Sequence, residues 1–285
     1  MQTLFDRKLG IQRKLRALQQ GDPSAHFLMK RVAEDLAERL DTVERRFPAA
    51  ASIFSITSDA ADTIESSGKA DKVLRVEASS GADEGALIAE NEVLPLETES
   101  LDLAVSLLAF HEVNDLPGLL FQIRHALRPD GLFLGAFAGA GTLQELRSAL
   151  LEAETELTGG AAPRVYPFTD VRDAGALLQR AGFTLPVTDV ENLVVRYDDM
   201  FALIRDLRSM GATSALEERS RTPASRSLFM RAAEIYAEKF SDADGRIRAS
   251  FNIIWLSGWA PHESQQKPLA PGSAKVSLKS VLEEK

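Results

Sequence analysis

The sequence predicts an α/β protein built on a mainly parallel sheet, and three observations carry that prediction. Short apolar runs that suit buried strands alternate with amphipathic helical stretches through the middle of the chain. Proline and glycine fall between them, where a helix must stop and a strand begin. At 285 residues the chain is long enough to bury one large core, with room for an appended segment.

Residues 1–46 read as an N-terminal helical segment. Arg7, Lys8, Arg13, Lys14 and Arg16 form a basic stretch beside Phe5, Leu9, Ile11, Leu15 and Leu18. The simplest reading is the solvated face of an amphipathic helix; the alternative is a lid, or a surface for an acidic partner. A second helix runs from about His26 to Arg45, with Leu28, Val32, Leu36, Leu40 and Val43 at helical spacing.

From Phe47 the texture changes. Residues 50–54, 72–76, 101–106 and 131–137 suit buried strands. Leu116 to Leu127 is an amphipathic helix, and Arg128-Pro129-Asp130-Gly131 stops it and turns the chain into the next strand. Further helices are expected over 143–157, 171–181, 200–208 and 225–240, with a strand over 183–195 and a last one over 251–259. Thr142 with Glu145 reads as a capping box. The glycines before it lack the lysine of a phosphate loop. The expected organisation is a main domain over 47–262 with a helical insertion at about 196–248, and a polar tail from 263 to 285.

Composition narrows the function classes. The formal charge of −9 argues against nucleic-acid binding, which needs a clustered positive face. There are no cysteines, so disulfides, thiolate nucleophiles and cysteine metal ligands are excluded. The four histidines (His26, His111, His125, His262) show no helical zinc-pair spacing, and no metal site is expected. No apolar run approaches the roughly 20 residues that span a bilayer. The N-terminus lacks the apolar region of a secretory signal, and the expectation is a cytoplasmic protein.

The run Glu92-Val93-Leu94-Pro95-Leu96, Leu101 to Ser106, His111-Glu112-Val113-Asn114-Asp115-Leu116-Pro117 and Leu127-Arg128-Pro129-Asp130-Gly131 resembles the middle of class I S-adenosylmethionine-dependent methyltransferases of type 11. Phe5-Asp6-Arg7, Phe168-Thr169-Asp170-Val171, Arg180-Ala181-Gly182-Phe183 and Gly258 to Gln265 extend the likeness over nearly the whole chain. They resemble one branch, that of the mitochondrial complex I assembly-factor hydroxylase and its α-proteobacterial relatives. A malonyl-carrier-protein methyltransferase is a cousin. The resemblance implies a Rossmann-like seven-stranded methyltransferase sheet with N-terminal helices and a helical insertion before the last strand.

It also implies a cofactor site, and here the chain departs from the family. An acidic residue and a Gly-x-Gly loop are expected after the first strand, where glycine lets the backbone take positive φ and approach the ligand. Ser52 stands at the acidic position, and Phe54, Ile56 and Ser58 stand where glycines are expected; no glycine occurs between Gly21 and Gly68. The loop therefore reads as degenerate and S-adenosylmethionine binding as doubtful. Glu77 fills the ribose-binding position, Glu90 and Asn91 the adenine-flanking pair, and Ser106 lies at the end of the fourth strand. His111 faces the expected mouth of the site as an orienting group or base. Glu112 replaces a tryptophan and makes the pocket acidic, suited to a cationic acceptor. Trp255, Trp259 and Tyr236 are read as core before groove.

The first functional expectation is a methyltransferase acting on a protein or small-molecule acceptor. The alternatives are a catalytically silent assembly factor or chaperone for a respiratory-complex subunit, or an arginine-modifying enzyme of that branch.

Overall fold

The computed structural model describes residues 3–266. In chain order the elements are α1 (Arg7–Gln20), α2 (Phe27–Asp41), β1 (Ala49–Ile53), α3 (Asp59–Ser66), β2 (Lys72–Glu77), β3 (Leu87–Ile88) and β4 (Leu101–Leu107). There follow α4 (Leu116–Ala126), β5 (Leu127–Ala138), α5 (Gln144–Thr158), α6 (Val171–Arg180), β6 (Thr184–Tyr197), α7 (Met200–Ser209), α8 (Arg226–Phe240) and β7 (Ile247–Trp259). The expected polar tail falls outside the described residues from position 267 on.

The strands form one seven-stranded sheet in the order β3-β2-β1-β4-β5-β7-β6. The pairs from β3 to β5 are parallel, and β7 enters antiparallel between β5 and β6. The central strands read as unbroken apolar runs because both faces are covered. One face packs Leu36 of α2, Ala149 of α5, Leu203 of α7 and Tyr236 of α8 onto Leu103, Leu134 and Ile253. The other packs Leu119 and Ile123 of α4 and Leu178 of α6 onto Val76, Phe133 and Ile254.

Three local expectations are corrected. Residues 128–131 do not turn the chain. Strand β5 already begins at Leu127, and 128–131 bulge opposite Asp102, between the pairs Leu101–Leu127 and Leu103–Leu132. Gly131 is required there because a Cβ would sit 2.9 Å from the Arg128 carbonyl oxygen. Thr142 and Glu145 form no capping box, because both side chains are committed to β7. The Thr142 hydroxyl accepts from Asn252 N at 3.0 Å, and Glu145 accepts from the amide and the hydroxyl of Ser250 at 3.1 and 2.5 Å. Finally, β3 and α3 were not foreseen.

Tyr236 and Trp255 are fully buried, as core rather than groove. The Tyr236 hydroxyl donates to the Arg248 carbonyl at 2.8 Å, and the Arg39 guanidinium stacks 4.3 Å above the Trp255 ring.

Helix α1 is laid across the carboxyl ends of the strands. Asp6 caps it, accepting from Leu9 N at 3.1 Å, and Gly21 closes it at φ +62°. Its approach is fixed from two sides. Asn114 accepts from the amides of Leu4 and Phe5 at 2.9 Å each. Phe5 bridges to Leu216, Asp6 N donates to Ala215 O at 2.7 Å, and Asp6 pairs with Arg219 at 2.9 Å. The first helix is thus tied to the segment between α7 and α8.

Candidate functional site

At the carboxyl ends of β1 and β2, where this fold places its ligand crevice, the structure leaves a cleft of about 60 Å³. Phe54 follows β1 directly with φ +57°, the left-handed conformation that glycine adopts without penalty, and costs about 1–3 kcal/mol in a bulky residue. Its ring is buried beneath the Arg7 guanidinium, 5.2 Å away. Arg7 in turn pairs with Glu92 at 2.7 Å. Leu15 of α1 fills the space above Gly81, where a Cβ would come 3.0 Å from its methyl group.

Glu77 is buried at the end of β2 and lines the cleft. Its carboxylate is taken by Arg75 at 2.9 Å; Arg75 also reaches Asp83 at 3.0 Å and the carbonyls of Ser55 and Thr57 at 3.3 Å. Burial pushes the Glu77 carboxyl up to about 7, and the Arg75 charge opposes the shift without cancelling it.

The other expected cofactor residues are placed differently. Ser52 and Ser106 are buried in their strands with unpartnered hydroxyls, outside the lining of the cleft. Glu90 and Asn91 are exposed, also outside it. The buried acid of that turn is Glu92, which pairs with Arg7 and accepts from the amides of Asn114 and Asp115 at 3.0 Å. Ile56 does line the cleft, with Phe54 and Glu77.

A second and larger chamber of about 480 Å³ opens on the far side of Ile56. Its walls are largely apolar, with Met29 from α2, Leu146 from α5, Leu207 from α7 and Phe251 from β7. His111 faces it from the short helical turn Phe110–Glu112 after β4, against Tyr166 and Phe168 at 6.5 and 6.0 Å between ring centres. The His111 Nδ1 is buried without a hydrogen-bond partner, and Nε2 lies 3.8 Å from Glu112. Burial drives the imidazole down to about 4, with the Glu112 charge opposing. His111 is therefore neutral near pH 7, with one ring nitrogen free to meet a ligand.

Glu112 does not make the pocket acidic as expected from the sequence. Lys14 of α1 lies 2.5 Å from its carboxylate, with both side chains largely buried (18% and 15% exposed). Burial acts to raise the Glu112 carboxyl, but the charge and hydrogen bond of Lys14 outweigh it and hold it below the ordinary range. The basic stretch is a solvated face only in part, since Lys8 and Arg16 are exposed. Arg7 and Lys14 point into the site, and Arg13 donates to the carbonyls of Thr213 and Ser214. Lys14, Ile56, Glu112 and Tyr166 line both chambers and form the wall between them.

The fit of an adenosyl cofactor follows from these contacts. A cleft of about 60 Å³ is far smaller than the roughly 300–1,000 Å³ of typical ligand pockets. Phe54 and Leu15 fill it, and the ribose-binding acid is already paired. In this arrangement the residues present do not admit S-adenosylmethionine. Among the described residues no group of three or more His, Asp or Glu side chains is placed to hold a metal ion.

Sequence reasoning missed Arg75, Glu92 and Tyr166. Arg75 carried a usable signal, since positions i and i+2 of a strand share a face. Tyr166 carried none. Its hydroxyl accepts from Ala215 N at 2.8 Å, a contact set by the insertion and not by spacing.

The fold defines an α/β protein of the methyltransferase type, and comparison with known proteins agrees. A family model described as a methyltransferase domain matches residues 61–135. The solved YcgJ protein of Bacillus subtilis aligns over 80% of this chain and 99% of its own, with TM-score 0.53 and 13% identity, which speaks for the fold alone. Human arginine-hydroxylase NDUFAF5, mitochondrial, is 37% identical over 97% of this chain and 82% of its own length. The zebrafish (Danio rerio) protein of the same name is 36% identical over 97% and 88%. The malonyl-[acyl-carrier protein] O-methyltransferase of Xylella fastidiosa is 38% identical over 59% of this chain and 55% of its own. The chain belongs to the methyltransferase-like family of arginine-hydroxylase NDUFAF5. The mitochondrial names of these relatives overturn the expectation of a cytoplasmic protein.

Proposed function

We propose that this chain modifies an arginine side chain of a respiratory-complex subunit during assembly, and is not a methyl donor's enzyme. The observation that carries the reading is the extent of kinship. Identity to the arginine hydroxylases runs over 97% of the chain, whereas the Xylella carrier-protein methyltransferase matches 59%. The geometry supports it. The cleft for the methyl donor is filled by Phe54 and Leu15 and its ribose acid is tied to Arg75, while the adjacent chamber stays open. The relatives' names support a mitochondrial site of action.

Within this reading the chamber holds the acceptor side chain away from water, and His111, kept neutral, offers an unpartnered Nδ1 to orient it. Hydroxylation replaces C–H by C–OH; with dioxygen as the external oxidant, one oxygen atom enters the C–H bond and the other leaves as water, with two electrons and two protons from an external reductant. A second reading, a silent assembly factor, is favoured by the filled cleft alone, since fold does not fix function.

Mass spectrometry of candidate subunits from cells with and without this chain decides among them. A gain of one oxygen on an arginine is expected. A gain of one methylene would restore the methyltransferase reading. An unmodified subunit in a complex that still depends on this chain for assembly would establish the silent one.

A further inference from the structure

Glu112 is set in the wall between two chambers, and its counter-ion comes from the lid rather than from the sheet. Helix α1 brings Lys14 down onto the carboxylate at 2.5 Å. On the other side stands His111, at 3.8 Å and neutral. If α1 lifts without replacement, Glu112 is left largely buried with no cation, which is strongly unfavourable. If another cation takes the place of Lys14, the charge balance at the wall is unchanged. The lid is thus held shut by a contact that a suitable incoming side chain can take over.

We infer that Glu112 is the receptor for the cationic side chain of the substrate, and that Lys14 is its internal surrogate, occupying the receptor until substrate arrives. The inference rests on the arginine-modifying function proposed above and adds its recognition element. A guanidinium suits the exchange better than an ammonium. Its planar fork meets a carboxylate with two parallel N–H donors and is less strongly hydrated, so arginine displaces lysine at a partly buried acid. The largely apolar walls of the chamber then take the aliphatic stem. Withdrawal of Lys14 also removes one side of the wall towards the small cleft, so arrival of the substrate and opening of that cleft are one event.

The test uses the full chain and two small probes, N-acetylarginine methylamide and its neutral citrulline counterpart, with binding followed by calorimetry and by the ring signals of His111. Lys14→Gln is expected to bind the arginine probe about tenfold tighter than the native chain, the size of a typical coupling between competing groups. The citrulline probe is expected to show no such gain, and Glu112→Gln to lose arginine binding in either background. Lys14→Met, which keeps the aliphatic stem, serves as a second variant if the first is poorly folded. Equal affinity of native, Lys14→Gln and Lys14→Met chains for arginine would overturn the proposal, as would full arginine binding by Glu112→Gln. The two readings fail separately. Loss of oxygen transfer with Glu112-dependent arginine binding intact sinks the modification chemistry alone, while oxygen transfer undiminished in Glu112→Gln sinks the receptor alone.

Discussion

The Nη2 of Arg75 lies 2.9 Å from Oε1 of Glu77, two residues along β2 and so on the same side of the sheet. The acid that the fold would offer to a ribose is thus satisfied by its own strand. Because burial raises Glu77 from 4.5 to about 7, the unfolded chain ionises first as pH rises. The stability contribution is complete below about 4.5, falls through the interval up to about 7, and is level above it. Urea midpoints measured across that range should decline in the native chain and lose this component in Glu77→Gln. Arg75→Met removes the charge that opposes the shift, so the Glu77 carboxyl should rise further and stay protonated at neutral pH, which carboxyl signals followed by NMR would show.

The filled cleft makes a direct prediction for cofactor binding. Native protein titrated with S-adenosylmethionine or S-adenosylhomocysteine should give no heat of binding. Phe54→Gly with Ile56→Gly removes the side chain held at φ +57° and the branched group beside it, and should restore measurable binding of S-adenosylhomocysteine. Micromolar binding by the native chain would show that α1 and Phe54 leave the cleft readily.

Asn114 holds the entry to α1 with three hydrogen bonds, accepting from Leu4 N and Phe5 N and donating to Phe5 O at 3.1 Å. Asn114→Ala should loosen that segment with little effect on the sheet. Limited trypsin digestion should cut at Arg7 and Lys8 several-fold faster than in the native chain, with the thermal midpoint shifted by a few degrees at most. Equal digestion rates would mean that the other ties of the segment, through Phe5, Asp6, Arg7, Arg13 and Lys14, fix the helix without Asn114.

Glu145 satisfies the amide and the hydroxyl of Ser250 from across the start of α5. Glu145→Ala leaves a part-buried amide unpaired and should cost about 2 kcal/mol. Chemical denaturation should show the loss with an unchanged slope, since the fold itself persists.

His111 sets a second pH signature. Its ring is driven down to about 4 from 6.5, so the unfolded chain takes the proton first as pH falls. The stability it contributes is present above 6.5 and is lost on descending towards 4. Histidine ring signals followed by NMR should show His111 neutral until well below 6.5. A midpoint near 6.5 would mean that the chamber is hydrated around the ring.

The central strands were legible because burial on both faces leaves a continuous apolar run, as in Leu101 to Leu107. Strand β3 was not, because two residues, Leu87 and Ile88, carry no period and exist as a strand through pairing with β2. Gly131 was read as a turn because a bulge and a turn ask the same freedom of glycine. The position of Glu77 was legible from the end of its strand, and Phe54 from the missing glycines. The Lys14–Glu112 contact was not, because it depends on how a helix with cations on several sides is rolled onto the sheet. That roll is set by Asn114 and by the segment around Leu216, both distant in sequence.

The bridge between Phe5 and Leu216 joins two pieces of chain that cover different openings. Helix α1 closes the small cleft, and the segment from Met210 to Ala224 walls the large chamber. With Asp6 bonded to Ala215 and Arg219, and Arg13 to Thr213 and Ser214, neither piece moves without the other. The free energy of unlatching is therefore common to both compartments and falls on the ligand of the large chamber. Its apparent affinity is lowered by that whole cost, the contacts over the small cleft included, so a variant that weakens the Phe5–Leu216 bridge should bind it more tightly.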